Sequence, residues 1–157
     1  MKKKIYLSVL LLILVSCSNV VFITPQPEGL KPLDKIPESL QGLYVLFDSI
    51  MVTSNSINGD TLGKDIIVKK RGNFYYLNFF EDDCYSLTVI KVVQAVNYED
   101  FTVFHPRISE NNKYFFSIVG EKKTSNAFSN SYKLENVSVI QLSKMLKEDD
   151  NNLIRIK

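Results

Sequence analysis

The sequence predicts a mainly β or α+β domain: an antiparallel meander, closed as a barrel or strongly curved, with one helix near its carboxyl end. Three observations carry that expectation. From Gly42 onward, β-branched and aromatic runs alternate with turn residues roughly every 8–12 positions, the texture of a meander. Runs such as Phe74–Phe80 and Tyr114–Val119 are apolar at successive positions, so both faces of the sheet need cover. Only one stretch, beginning at Ser138, combines helical spacing with a capping signal.

The chain of 157 residues starts with Met1-Lys2-Lys3-Lys4, an apolar run from Ile5 to Val15, and Ser16-Cys17. A cationic start, a short apolar core and a small residue before a cut make a secretory signal. The run is shorter than the ~20 residues a spanning helix needs. Leu14-Val15-Ser16-Cys17 resembles the lipobox of bacterial lipoproteins. The resemblance implies cleavage between Ser16 and Cys17, a diacylglyceryl thioether on Cys17 and acylation of the new α-amine. Two or more acyl chains anchor stably, at about 0.8 kcal/mol per buried CH₂, where one chain binds only marginally. Ser18-Asn19 follow with no acidic residue. By the lipoprotein sorting pattern this resembles an outer-membrane destination, here expected on the periplasmic face.

Signal removal at residues 1–16 also changes the electrostatics. Without Lys2, Lys3 and Lys4 the chain holds 16 Lys and Arg against 17 Asp and Glu, so the formal charge moves from +2 to −1. Nucleic acid as a partner loses its compositional support. Cys84 becomes the only thiol not assigned to lipid, which excludes a disulfide framework and suits a small buried hydrophobe.

Residues 17–41 carry four of the five prolines, Pro25, Pro27, Pro32 and Pro37, and read as a semi-rigid spacer between lipid and domain. Pro37 opens one short helical turn that ends before Gly42. The domain itself is expected over 42–157. Leu43 to Val52 is apolar apart from Asp48 and Ser49, and Asn58-Gly59-Asp60 is a hairpin turn. A strand from Asp65 to Lys69 turns through Lys70-Arg71-Gly72-Asn73 into Phe74–Phe80, and Glu81-Asp82-Asp83 turns into Tyr85–Val93. After a turn near Asn97 come a strand at Phe101–Phe104, a loop from His105 to Asn112, and a strand from Lys113 to Val119. Ser138-Val139-Ile140-Gln141 has the capping-box spacing, and Val139, Leu142 and Leu146 share one helical face. Lys144 and Lys147 suit its last turn. The Glu148–Asn152 stretch stops the helix before a final strand near Leu153–Ile156.

Catalytic and metal signatures are missing from this pattern. The single histidine, His105, has no Gly-x-Ser-x-Gly partner motif and no His-x-x-x-His or Cys-x-x-Cys companion. Glu81-Asp82-Asp83 lacks the spaced ligands of a calcium loop. Lys69-Lys70-Arg71 reads as a hairpin tip, within reach of anionic headgroups if the tip faces a membrane. No cofactor is expected. The unusual feature is aromatic content, ten Phe and eight Tyr with no Trp. Tyr76, Phe80, Tyr114 and Phe116 are the residues expected to line a cavity for an apolar ligand, if the aromatics do more than fill the core.

A short helical turn, Gly42-Leu43-Tyr44, a meander and a late helix together resemble the lipocalin plan, with Tyr44 where that family has Trp in its Gly-x-Trp motif. The resemblance implies a barrel carrying a small apolar ligand. The expectations are therefore a non-enzymatic, lipid-anchored envelope domain that binds or scaffolds, a carrier of an apolar ligand, or an inhibitor or immunity-type protein. The last would grip a protein partner through loops such as Asp48–Asp65.

Overall fold

The computed structural model describes residues 20–45, 49–94, 99–109, 111–122, 131–148 and 154–156. The signal segment, Ser16 and Cys17, the turn near Asn97 and residues 149–152 lie outside the described residues. In chain order the strands are β1 (Val20–Phe22), β2 (Gly42–Val45), β3 (Ser49–Val52), β4 (Ser56–Ile57), β5 (Asp60–Thr61), β6 (Ile66–Arg71) and β7 (Phe74–Glu81). They continue as β8 (Cys84–Gln94), β9 (Glu99–Pro106), β10 (Ile118–Lys122), β11 (Ser131–Leu134), β12 (Leu146–Glu148) and β13 (Ile154–Ile156). The helix α1 covers Val139–Met145.

The heart of the fold is the antiparallel run β6–β7–β8–β9. Its turns are chemically specified. Gly72 (φ 56°) opens the two-residue loop between β6 and β7, and Asn58 (φ 50°) with Gly59 (φ 97°) make the β4–β5 hairpin. Two-residue hairpins need such left-handed positions. Asp82 (φ 49°) and Asp83 (φ 62°) reach them without glycine, which Asp tolerates better than most side chains. The long strand β8 carries β7 on one side. On the other, Tyr85 pairs with Phe22 of β1 and Val89–Gln94 pair with β9. β1 runs parallel to β11, and β11 pairs with β10, giving an eight-stranded sheet. The second sheet has five strands in the order β13-β2-β3-β4-β5. Among the described residues neither sheet closes on itself, so the expected meander and late helix hold while the barrel does not.

Alternation along the strands divides the interior in two. One face of the large sheet sends Tyr76, Leu87 and Val89 into a core with Val20, Phe22, Leu134, Leu142 and Met145. The other face sends Val68, Tyr75, Leu77 and Val92 against Tyr44 and Ile57 of the small sheet. This is why Phe74–Phe80 is apolar on successive positions. Ser138 caps α1 by accepting from the Gln141 amide, and Gln141 reciprocates toward the Ser138 amide. The capping box sits where the sequence placed it.

Three expectations need correction. From Val20 to Leu40 the expected spacer is packed into the body: Val20, Phe22, Gln26 and Ile36 are buried. The prolines there serve an irregular strap. The Gln26 backbone donates to Asn78 Oδ1 (2.6 Å) and accepts from Asn78 Nδ2 (2.8 Å). Lys69 Nζ donates to the carbonyls of Pro25 (2.7 Å) and Pro27 (2.9 Å), and the Leu33 amide donates to Val68 O. The short turn after Pro37 is present, as a 3-10 turn at Glu38–Leu40. Second, the strand expected at 113–119 is a 3-10 turn at Lys113–Phe115, with extended pairing from Ile118. The Asn112 side chain accepts from the Ser109 amide, and Ser109 O takes the amides of Asn112 and Lys113, so those groups leave the ladder for a turn. Third, α1 stops at Met145. Leu146, at φ −68° and ψ 128°, turns extended, and Leu146–Glu148 pair with β9.

Candidate functional site

Between the two sheets lies a cavity of about 240 Å³. Its floor comes from inward positions of the large sheet, including Val68, Leu77, Phe79, Ile90 and Val103, and its roof from Tyr44, Ile50, Val52 and Ile57 of the small sheet. Ile36 and Leu40, delivered by the strap and its 3-10 turn, close one side. Tyr44 and Phe101 meet edge to face, with centroids 5.7 Å apart and planes at 86°, and tie the layers together beside the cavity. Such pairs contribute about 0.5–1.5 kcal/mol beyond their area.

Polar lining is sparse. Thr88 and His105 reach the wall, and the Tyr44 hydroxyl donates to Leu40 O at 2.8 Å. Apolar walls with a few polar points are what a small-molecule site looks like. An engineered apolar cavity of about 150 Å³ takes up benzene, so this one accommodates a somewhat larger apolar molecule.

A second cleft of about 530 Å³ lies on the opposite face, between the β6–β7 hairpin and α1. Arg71 and Lys91 flank Phe74, with Lys91 Nζ 5.8 Å from its ring centroid, while Val139, Leu142 and Leu146 form the helical wall. Tyr76 lies at its base. Burial pushes the Tyr76 phenol above its ordinary value of 10, partly offset by Arg71.

The four aromatics singled out from sequence are not brought together. Tyr76 and Phe116 are in the helix-side core, whereas Phe80 and Tyr114 are exposed. In β7 the cavity faces Leu77 and Phe79, so the parity is off by one residue from Tyr76 and Phe80. A one-residue slip moves every side chain to the other face, and the signal that would have settled it, the register of β6 and β8, is not local. Cys84 is buried and free. Glu81-Asp82-Asp83 is an exposed hairpin tip, and among the described residues no group of three or more His, Cys, Asp or Glu is placed to hold a metal ion. Of Lys69-Lys70-Arg71, Lys69 is buried beneath the strap, and the exposed Lys70 lies 5.1 Å from the Tyr75 ring centroid.

The fold and cavity define a two-sheet β protein with an apolar site between its layers and a helix across the outer face. No family model, curated protein or solved structure matches the chain. No helix among the described residues is long and apolar enough to cross a membrane.

Proposed function

We propose that the chain is a lipid-anchored protein of the bacterial cell envelope that binds a small apolar molecule between its two sheets, without catalysing a reaction on it. The observation that carries the binding role is the cavity of about 240 Å³ with its nearly uniform apolar lining. Protein interiors ordinarily leave few voids larger than a water molecule. The lipobox-like Leu14-Val15-Ser16-Cys17 carries the anchor and, with Ser18-Asn19 behind it, the outer-membrane placement facing the periplasm. The apolar ligand class suits that setting, because an acyl-anchored protein samples the bilayer from which such molecules partition.

Two measurements test the two halves separately. Mass spectrometry of the amino-terminal peptide from the envelope-purified protein should find acylated Cys17, and Cys17→Ser should abolish radiolabelled palmitate incorporation. For the cavity, native mass spectrometry should find a bound small molecule, and toluene should perturb the NMR signals of Val68, Ile90 and Val103 methyls. A protein that carries nothing and whose methyls ignore toluene does not have this function.

A further inference from the structure

We propose that the Lys113–Phe115 turn and the outer face of α1 form a membrane-seating surface that lies against an anionic lipid headgroup layer. This rests on the acylation of Cys17 proposed above. Tyr114 is 82% exposed, Ile140 72% and Phe115 54%, an unusual outlay of large apolar side chains. The turn and the helix that carry them are in contact. Lys144, one helical turn beyond Ile140, places its Nζ 4.5 Å from the Phe115 ring centroid, and Gln141 Nε2 donates to Phe115 O at 3.2 Å. Lys113 Nζ lies 5.5 Å from the ring of Tyr114.

The chemistry of the patch selects its occupant. Segments 111–117 and 138–147 contain Lys113, Lys144 and Lys147 and no Asp or Glu. Aromatic and aliphatic tips with Lys113 and Lys144 beside them match a bilayer interface, where amphipathic rings sit at headgroup level and lysines meet lipid phosphates. A contiguous exposed apolar patch on a soluble domain marks an interaction surface. The position of the anchor adds an independent constraint. Val20 is fully buried in β1, and three residues of chain from Cys17 to Val20 span at most about 11 Å. The lipid therefore holds the body against the bilayer with no long tether between. Val20 shares one core cluster with Phe116 and Leu142, the immediate neighbours of the patch.

The natural chain has no Trp, so a single introduced indole reports on one place. Full-length acylated protein carrying Tyr114→Trp is reconstituted into phosphatidylglycerol–phosphatidylcholine vesicles with or without brominated acyl chains. Met51→Trp, at an exposed position on the small sheet, serves as the comparison. The amino-terminal peptide of each sample is weighed to read the acyl groups. The expected result is a blue-shifted Tyr114→Trp emission that is roughly halved by bromine, with Met51→Trp unaffected. Acylated protein whose Tyr114→Trp emission ignores bromine overturns the seating surface and leaves the anchor standing. Equal quenching at both positions overturns it as well. A blue shift seen only in native envelope, without bromine quenching in vesicles, assigns the patch to a protein partner instead. An unacylated amino-terminal peptide removes the anchor and this inference with it.

Discussion

The two faces of the large sheet are built from the same strands and finished in opposite ways. On the helix side, β1, β11 and α1 pack Leu87, Val89 and Leu142 into a core bordered by the open cleft beside the β6–β7 hairpin, and a polar strap covers part of it: the buried side-chain polar atoms of Gln26 and Asn78 all have partners. On the other side the small sheet spans residues that do not fill the gap and a cavity remains. Filled, satisfied polar networks fix one arrangement of a core, whereas an apolar void costs contacts that a ligand can restore. Under the proposed function, structural specificity lies on one face and binding on the other.

The largest expected effect is at the strap. Asn78→Leu keeps the volume but leaves the Gln26 amide and carbonyl without their partners, and each buried orphan costs about 1–3 kcal/mol. We expect a loss of about 3–5 kcal/mol in denaturant unfolding, against which a loss below about 1 kcal/mol would show the strap to be ornamental. Next comes a matched pair. Leu87 and Leu77 lie on neighbouring strands and point to opposite faces. Leu87→Ala opens a new hole in a filled core and should cost about 4 kcal/mol, while Leu77→Ala enlarges an existing one whose contacts are already incomplete, at about 2–3 kcal/mol. Equal losses would mean that the two faces are packed alike.

Lys69 gives a smaller effect with a pH signature. Burial lowers its ammonium below the ordinary 10.5, with Glu28 partly opposing. The unfolded chain then holds that proton more tightly than the folded one. Stability accordingly rises with pH between the depressed folded value and 10.5, and this contribution is complete only above 10.5. Lys69→Met removes the slope and deprives the Pro25 and Pro27 carbonyls of their donor, a loss of about 1–2 kcal/mol at neutral pH. Chemical unfolding between pH 8 and pH 11 reads both, and a variant that keeps the wild-type slope would locate the titration elsewhere.

Sequence reading reached the features that local chemistry dictates. The Ser138–Gln141 capping box, the Asn58-Gly59 hairpin and the turn at Asp82-Asp83 are each written in two to four adjacent residues, and each is where it was expected. What it missed depends on distant partners. Val20–Phe22 looks like the start of a proline-rich spacer until Tyr132–Leu134 and Tyr85 supply its neighbours, 63 or more residues away. Tyr114 and Phe115 look like a strand because they are aromatic, but the Asn112 side chain turns the backbone first. The cavity was illegible for a related reason. Period-two alternation shows that β7 has two apolar faces and does not show which one meets the loosely filled layer.

The finest test of the contrast is a pair of enlargements on adjacent residues of β8. Ile90 lines the cavity, and Val89 is fully buried on the filled face. Overpacking a filled core costs about 1–3 kcal/mol, so Val89→Phe should destabilise by that amount. Ile90→Phe has empty volume to enter, and its stability should stay within about 1 kcal/mol of the parent, with a gain where the ring fills the void well. The same substitution should abolish the toluene response of the Val68 and Val103 methyls, since the ring takes the ligand's place. Val89→Phe, on the opposite face, should leave that response intact. If Ile90→Phe destabilises as much as Val89→Phe, the space between the sheets is not available to any guest, and the functional division between the faces fails with it.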